Sequence, residues 1–310
     1  VITMQKKKLN LKEYAVWIML VVLVAVFSLA VPNFATTGNM VTILRQVANI
    51  GILSVGMTFV LISGGIDLSI GNQMGLVGVI AALLMVQYNV SPVLACLVGL
   101  VVGVVVGLIN GLLITYTQMP PLIMTLGMSY ATRGMAYIIT GGYPVYGLPE
   151  SMKWMGQGYL FGVVPVCVLV MVIVIAIGAF IMNKTYVGRQ FYAIGSNEEA
   201  ARLSGLRVQR IRVLGYVIAG FLAALSGIVL MSRVNSGQPM NGNGMEMDAL
   251  IACVVGGISG MLVMGILANG MAVAGMSEYL QMLVKGAVLV AVVAIDCFSR
   301  HHSLKSLLKK

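Results

Sequence analysis

Long apolar runs alternate with short polar breaks along most of this chain. The runs cover residues 14–31, 44–63, 70–86, 92–116, 122–140, 163–182, 213–231, 249–275 and 280–298. About 17–25 apolar residues are what a helix needs to cross a bilayer. In lipid every backbone polar group must be satisfied within the segment, so runs of this kind predict α-helices. The run 249–275 does not fit the pattern. It is too long for one plain span, and two spans with a loop need about forty residues.

The pattern breaks most strongly at 183–212, which reads NKTYVGRQFYAIGSNEEAARLSGLRVQRIR. Lys184, Arg189, Arg202, Arg207, Arg210 and Arg212 stand there against Glu198 and Glu199. Positive charge between spans marks the cytoplasmic side. With a basic N-terminus inside, six spans bring the chain back inside at this island. Segments 141–160 and 232–248 then fall outside. A polar segment of this length exceeds an ordinary connection and is a place for a soluble partner to dock.

Composition sharpens the class. The chain is 59% hydrophobic and 9% charged, with a mean hydropathy of +1.00. Soluble domains carry about 25% charged residues, so this is an integral membrane protein in contact with lipid. The net charge of +10 follows from topology rather than nucleic-acid binding, because its lysines and arginines sit at expected cytoplasmic flanks: Lys6, Lys7, Lys8, Lys12, the island, Lys305, Lys309 and Lys310. The first run is longer than a signal-peptide core and no cleavage site follows it, so it reads as a span that stays. Met4 precedes the basic cluster, so Val1 is not expected to be the natural initiator.

Cys96, Cys167, Cys253 and Cys297 lie in apolar runs without metal-ligand spacing and read as packing residues. His301 and His302 belong to the polar tail. No phosphate loop, metalloprotease or nucleophile-elbow motif occurs, so neither ATP binding nor catalysis is expected of this chain. Small residues recur every four positions at Gly99, Gly103, Gly107 and Gly111, and at Ala219, Ala223 and Gly227. Such stripes let helix backbones approach in lipid and read as close packing inside one bundle.

The segment Gly64-Gly65-Ile66-Asp67-Leu68-Ser69-Ile70-Gly71 separates two apolar runs. A carboxylate at bilayer depth needs a partner or a wet cavity. Asp67, with Ser69 and Gly71, either shapes and caps the start of the third span or contacts a solute. Gly256-Gly257-Ile258-Ser259 partly echoes this motif. Arg133 and Lys285 lie near the outer ends of their spans, where Lys285 is expected to snorkel and Arg133 either to snorkel or to pair inside the bundle.

Four stretches carry a resemblance: 32–45, GMTFVLISGGIDLSIG at 56–71, GRQFYAIGSNEEAARLSGLRV at 188–208, and SGQPMNGNGMEMDALIACVVGG at 236–257. The chain resembles the permease subunits of bacterial ABC importers for monosaccharides, the ribose, galactose, arabinose and allose group. The likeness continues through 267–296. It implies an all-α, polytopic bundle of about ten transmembrane helices, similar to cobalamin-type importer permeases, as a single permease domain over 1–310. It implies a pathway built by two permease subunits, a homodimer, in the inner membrane with both termini cytoplasmic. It implies a cytoplasmic ATPase with two nucleotide-binding modules, which would hold ATP and Mg, and a periplasmic sugar-binding protein. The docking segment would comprise Ser196, Asn197, Glu198, Glu199, Ala200, Ala201, Arg202 and Gly205, with Ala201 entering a groove on the ATPase. Gly64, Gly65, Asp67, Ser69 and Gly71 would shape the pathway. The likeness breaks between Ser259 and Met261, where members carry about fifteen more residues, a glycine-rich basic loop and the start of another span. The natural protein is therefore expected to contain a further segment there, restoring ten spans. A stand-alone secondary carrier would need an ion site, for which only Asp67 and Arg133 offer themselves. A non-transporting membrane interaction protein would leave the packed bundle unexplained.

Overall fold

The computed structural model describes residues 11–307, and the side chains of 16–291 and 294. Lys6–Lys8, Lys12, Cys297, His301, His302 and the tail lysines lie outside the residues whose side chains it describes. The described chain is helical almost throughout. In order it forms α1 (Leu11–Ala30), α2 (Thr37–Ile62), α3 (Ile70–Val86), α4 (Pro92–Tyr116), α5 (Pro121–Thr140) and α6 (Glu150–Gln157). A two-stranded hairpin, β1 (Tyr159–Leu160) and β2 (Val164–Pro165), precedes α7 (Val166–Lys184), α8 (Tyr186–Ser196), α9 (Glu198–Leu203) and α10 (Val208–Val234). The chain ends with α11 (Met245–Val255), α12 (Ile258–Val273) and α13 (Glu278–Leu307). Among the described residues, α2, α4, α7 and α10 are long and apolar enough to cross a membrane, and Val16–Ala30, α3 and α12 are shorter apolar helices.

Several boundaries follow from simple chemistry. Pro92 and Pro121 open α4 and α5, where the missing N–H costs nothing. Gly141 ends α5 in the left-handed region. The expected span 249–275 is instead two helices, broken at Gly256 and Gly257. This glycine pair and Gly64-Gly65 both stand at breaks between consecutive helices. The expected outer loop 141–160 contains α6, a short helix with its own buried face at Met152 and Gly156.

The chain divides into two compact units, one of them Leu44–Leu250 and the other Val1–Ile43 with Ile251–Lys310. In the larger unit α10 is the central helix. The glycine stripe of α4 lies on it: a Cβ on Gly107 would strike the Tyr216 carbonyl oxygen, and one on Gly111 would lie 2.9 Å from the Val213 Cα. The second stripe serves other neighbours, Ala219 against Gly56 of α2 and Gly227 against Met74 of α3. Both stripes therefore pack inside the bundle. α4 and α7 turn most of their apolar surface outward, which suits lipid.

This unit has two distinct ends. At one, Val145 and Gly237 exchange backbone hydrogen bonds of 2.8 and 2.9 Å. There Arg45 donates to the Gln157 carbonyl at 2.8 Å and lies 5.1 Å from the Tyr159 ring. At the other end, residues near 63–65, 115–121 and 198–216 meet. In the smaller unit α1 packs on α12, with the Phe27 ring against Gly270. Asn39 donates to Asn269 Oδ1 at 2.9 Å and to the Phe34 carbonyl at 2.8 Å.

Candidate functional site

Most of the break between α2 and α3 is buried inside the larger unit, with Gly64 exposed at its turn. Gly64 turns it with φ +80°, a conformation that glycine adopts without a Cβ penalty. Gly65 leaves no room for a side chain, because a Cβ there would lie 2.5 Å from Tyr216 Oη. Asp67 and Ser69 are fully buried. Asp67 Oδ1 accepts from the Ser69 N–H at 2.9 Å and from Ser69 Oγ at 2.6 Å, and Ser69 Oγ accepts from Asn110 Nδ2 at 2.9 Å. Ser69 occupies the N-cap position of α3, yet its side chain makes no cap bond. Its hydroxyl is spent on Asp67 and Asn110, so the expected capping role falls away. Gly71 packs against Glu246 and the Gly242 carbonyl.

The same level of the bundle holds more polar groups. Asn72 donates to Ser129 Oγ at 2.7 Å, and Gln73 donates to the carbonyls of Gly103 and Gly220 at 2.8 and 3.1 Å. Among the described residues, Asp67 Oδ2, Asn72 Oδ1, Gln73 Oε1 and Asn110 Oδ1 accept no hydrogen bond. This is a stripe of oxygens with spare acceptor capacity in an apolar bundle. Sequence reasoning singled out Asp67 and Ser69 but not Asn72, Gln73, Asn110 or Ser129, although polar residues inside apolar runs were the available signal.

The basic island folds into a compact cap at one end of the unit. Thr185 caps α8 by accepting from the Gly188 N–H at 3.2 Å. Phe191 and Ile194 of α8 bury against Phe59, Met182 and Ile211, and the Phe191 and Phe59 rings meet edge to face at 5.3 Å. Gly195 presses on the Ile62 carbonyl. Ser196 ends α8, with its hydroxyl donating to the Tyr192 carbonyl. Asn197 caps α9 by accepting from the Ala200 N–H at 3.0 Å. Glu198 and Glu199 fall in its first turn, where the helix dipole favours them. Gly205, at φ +81°, ends it, with Gly205 N–H bonded to the Arg202 carbonyl and Leu206 N–H to the Ala201 carbonyl. That pattern closes a helix with a left-handed glycine.

Ala201 does not face outward as expected. It is buried with Phe191, Ile194 and Val208, because on this short helix its position turns toward α8 and α10. Leu203 is the outward apolar residue, 81% exposed, beside the exposed Ala200, Arg202, Ser204 and Gly205.

α9 is tied inward by one strong contact. Arg212 of α10 holds Glu198 with both terminal guanidinium nitrogens, Nη1 and Nη2, at 3.1 and 2.7 Å. A bidentate arginine–carboxylate pair fixes geometry as well as charge. Between this pair and the α2–α3 break lies a cavity of about 720 Å³, lined by Ser63, Gly64, Gly65, Tyr116, Gln118, Arg202, Arg207, Arg210, Arg212 and Tyr216 among others. Arg202, Arg207, Arg210 and Arg212, with Glu198, are its charged lining residues. Among the described residues no group of three His, Cys, Asp or Glu is placed to hold a metal. Cys96 Sγ lies 3.9 Å from Met152 Sδ and Cys167 is buried. Arg133 is partly exposed, 5.8 Å from the Tyr137 ring.

The family described as "Branched-chain amino acid transport system / permease component" matches residues 39–293. The ribose import permease protein RbsC of Bacillus subtilis is 41% identical over 292 residues, covering 89% of this chain and 90% of its own length. The chain belongs to this permease family. The ribose import permease protein RbsC of Escherichia coli is 37% identical over 303 residues, covering 92% of the permease and 94% of itself. The L-arabinose transport system permease protein AraH of the same organism is 35% identical, covering 93% and 91%. The permease is thus a helical, multi-pass membrane bundle from a transporter family rather than an enzyme family. The alignment with the Bacillus relative is 292 residues long, more than 89% of 310 residues can supply. That relative therefore carries residues with no counterpart in this permease.

Proposed function

We propose that this chain forms the path of a monosaccharide across the bacterial inner membrane, as the permease subunit of an ATP-driven importer. The observation that carries this reading is the similarity to ribose import permeases across nearly the whole chain. Two copies acting together, each a single permease domain over 1–310, would enclose the path. A cytoplasmic ATPase with two nucleotide-binding modules would hold ATP and Mg, and this chain would hold no cofactor. An exported sugar-binding protein would deliver the cargo.

The arginine-rich end of the larger unit is the cytoplasmic one on the charge rule, and both termini share that side. α9 and its flanks, Ser196 to Arg202 with Gly205, dock the ATPase. Their exposed face supports this, with Leu203 in the place first given to Ala201. Gly64, Gly65, Asp67, Ser69 and Gly71 shape the conduit. The spare oxygens of Asp67, Asn72, Gln73 and Asn110 suit a wet passage for a neutral, hydroxyl-rich solute. A natural segment between Ser259 and Met261, which here fall within the first turn of α12, restores an even number of spans. The surplus residues of the Bacillus relative support it.

The deciding experiment is uptake of labelled ribose and arabinose into proteoliposomes holding this permease, its ATPase and its binding protein. ATP-dependent accumulation of a monosaccharide is expected. No accumulation of any monosaccharide bound by that binding protein defeats the reading.

A further inference from the structure

Arg212 does more than pair with Glu198. Its Nε donates to the Ser63 carbonyl at 3.4 Å, and its Nη2 would lie 3.9 Å from a Cβ on Gly64. One turn further along α10, Tyr216 Oη donates to the Ile66 carbonyl at 3.4 Å. Residues four apart share a helix face. The two side chains thus hold two carbonyls of the buried break from a single face of α10. Glu198 and Arg212 are only partly exposed, at 37% and 29%, so solvent competes less here than at the outer pairs of Arg202 with Glu198 and Glu199, at 3.7 and 3.6 Å. Among the described residues, the hydrogen bonds that connect α9 to the α2–α3 break pass through Arg212. The link runs Glu198, Arg212, Ser63.

We infer that the Glu198–Arg212 pair is a positioning strut that transmits displacement of α9 to the Ser63–Asp67 break, so that events at the basic cap reset the buried end of the conduit. The inference rests on the importer reading for its purpose, but its mechanical content stands apart from transport. A rigid fork suits the task, because a lysine offers one point of attachment where arginine offers two.

The first test is amide exchange in the purified permease with Glu198→Gln, Arg212→Gln and the double variant. Glu198 lies on α9 and its hydrogen bonds among the described residues go to Arg212, not to residues 64–68, yet Glu198→Gln should speed exchange across 64–68 by about fivefold or more. The double variant should go no faster than Arg212→Gln. Unchanged exchange at 64–68 in Glu198→Gln overturns the strut, as does a double variant that multiplies the two single effects. The second test is sugar carried per ATP hydrolysed in the reconstituted complex. Both single variants should lower this ratio by about fivefold, with Arg212→Lys between them and the wild type. If uptake and hydrolysis fall together with the ratio unchanged, the pair only keeps α9 folded, and the proposal is wrong. If the wild-type complex carries no sugar, the importer reading fails while the exchange result still decides the strut.

Discussion

Gly103 of α4 and Gly220 of α10 lie against each other's backbones. A Cβ on Gly103 would sit 2.6 Å from the Gly220 carbonyl oxygen, and a Cβ on Gly220 would run into the Gly103 carbonyl oxygen. Neither obstacle is the movable end of a side chain. Gly103→Val or Gly220→Val should therefore force the helices apart and cost about 1–3 kcal/mol or more. Gly127→Ala on α5 meets nothing within 4 Å and should be neutral or stabilising by about 0.5–1 kcal/mol. Thermal unfolding in detergent separates the two cases, and equal midpoints for all three variants would contradict the packing.

Asp67 serves the break through one oxygen, Oδ1. Asn can keep that acceptor and Ala cannot. Asp67→Ala should lower uptake by about tenfold or more, a penalty of the size expected for an orphaned buried polar group, while Asp67→Asn should be milder. Neither should reorder the competition among unlabelled sugars. A changed ranking in Asp67→Asn would make Asp67 a direct sugar contact.

On α9, inward and outward residues should fail differently. Ala201→Leu overfills the cluster with Phe191 and Val208 and should lower stability by about 1–3 kcal/mol. Leu203→Glu should leave the melting temperature unchanged and reduce co-purification of the ATPase. Gly205→Val, placed in a left-handed conformation, should cost about 1–2 kcal/mol, and Gly205→Asn less. Loss of co-purification with Ala201→Leu alone would return Ala201 to the interface.

Sidedness can be read with cysteines introduced at Tyr146 and Arg207, exposed residues at opposite ends of the larger unit. An impermeant thiol reagent applied to intact cells should label Tyr146→Cys and spare Arg207→Cys, above the background of the native cysteines. The reverse pattern would invert the orientation.

Helices long enough to declare themselves were legible in the chain. The apolar runs 70–86 and 92–116 coincide with α3 and α4, because polar or proline residues bound them on both sides. The four-residue glycine rhythm of α4 announced a close backbone approach, but not that α10 was the partner, since rhythm on one helix carries no information about its neighbour. Short elements were harder. α6 and α9 have too few residues for a period, so the inward turn of Ala201 could not be read. The cap of α9 was local chemistry and was legible; its anchor, Arg212, lies fourteen residues away from Glu198 and depends on the return of α10. Ser69 illustrates the same limit. Its position suggested a cap, but Asn110, brought in from α4, redirected the hydroxyl.

The glycine seam between α4 and α10 has a mechanical consequence. Helices that interlock through bulky side chains must unpack knobs from holes before they shift. A seam made of bare backbone offers no such teeth, so small sliding or tilting disturbs few contacts. Along this seam Gln73 is the catch, since its one amide group bonds the carbonyl of Gly103 on one side and of Gly220 on the other. The permease thus joins a backbone-on-backbone bearing at Gly103 and Gly220 to a polar latch at Gln73, and the ease of relative helix motion there is set by how readily that latch lets go.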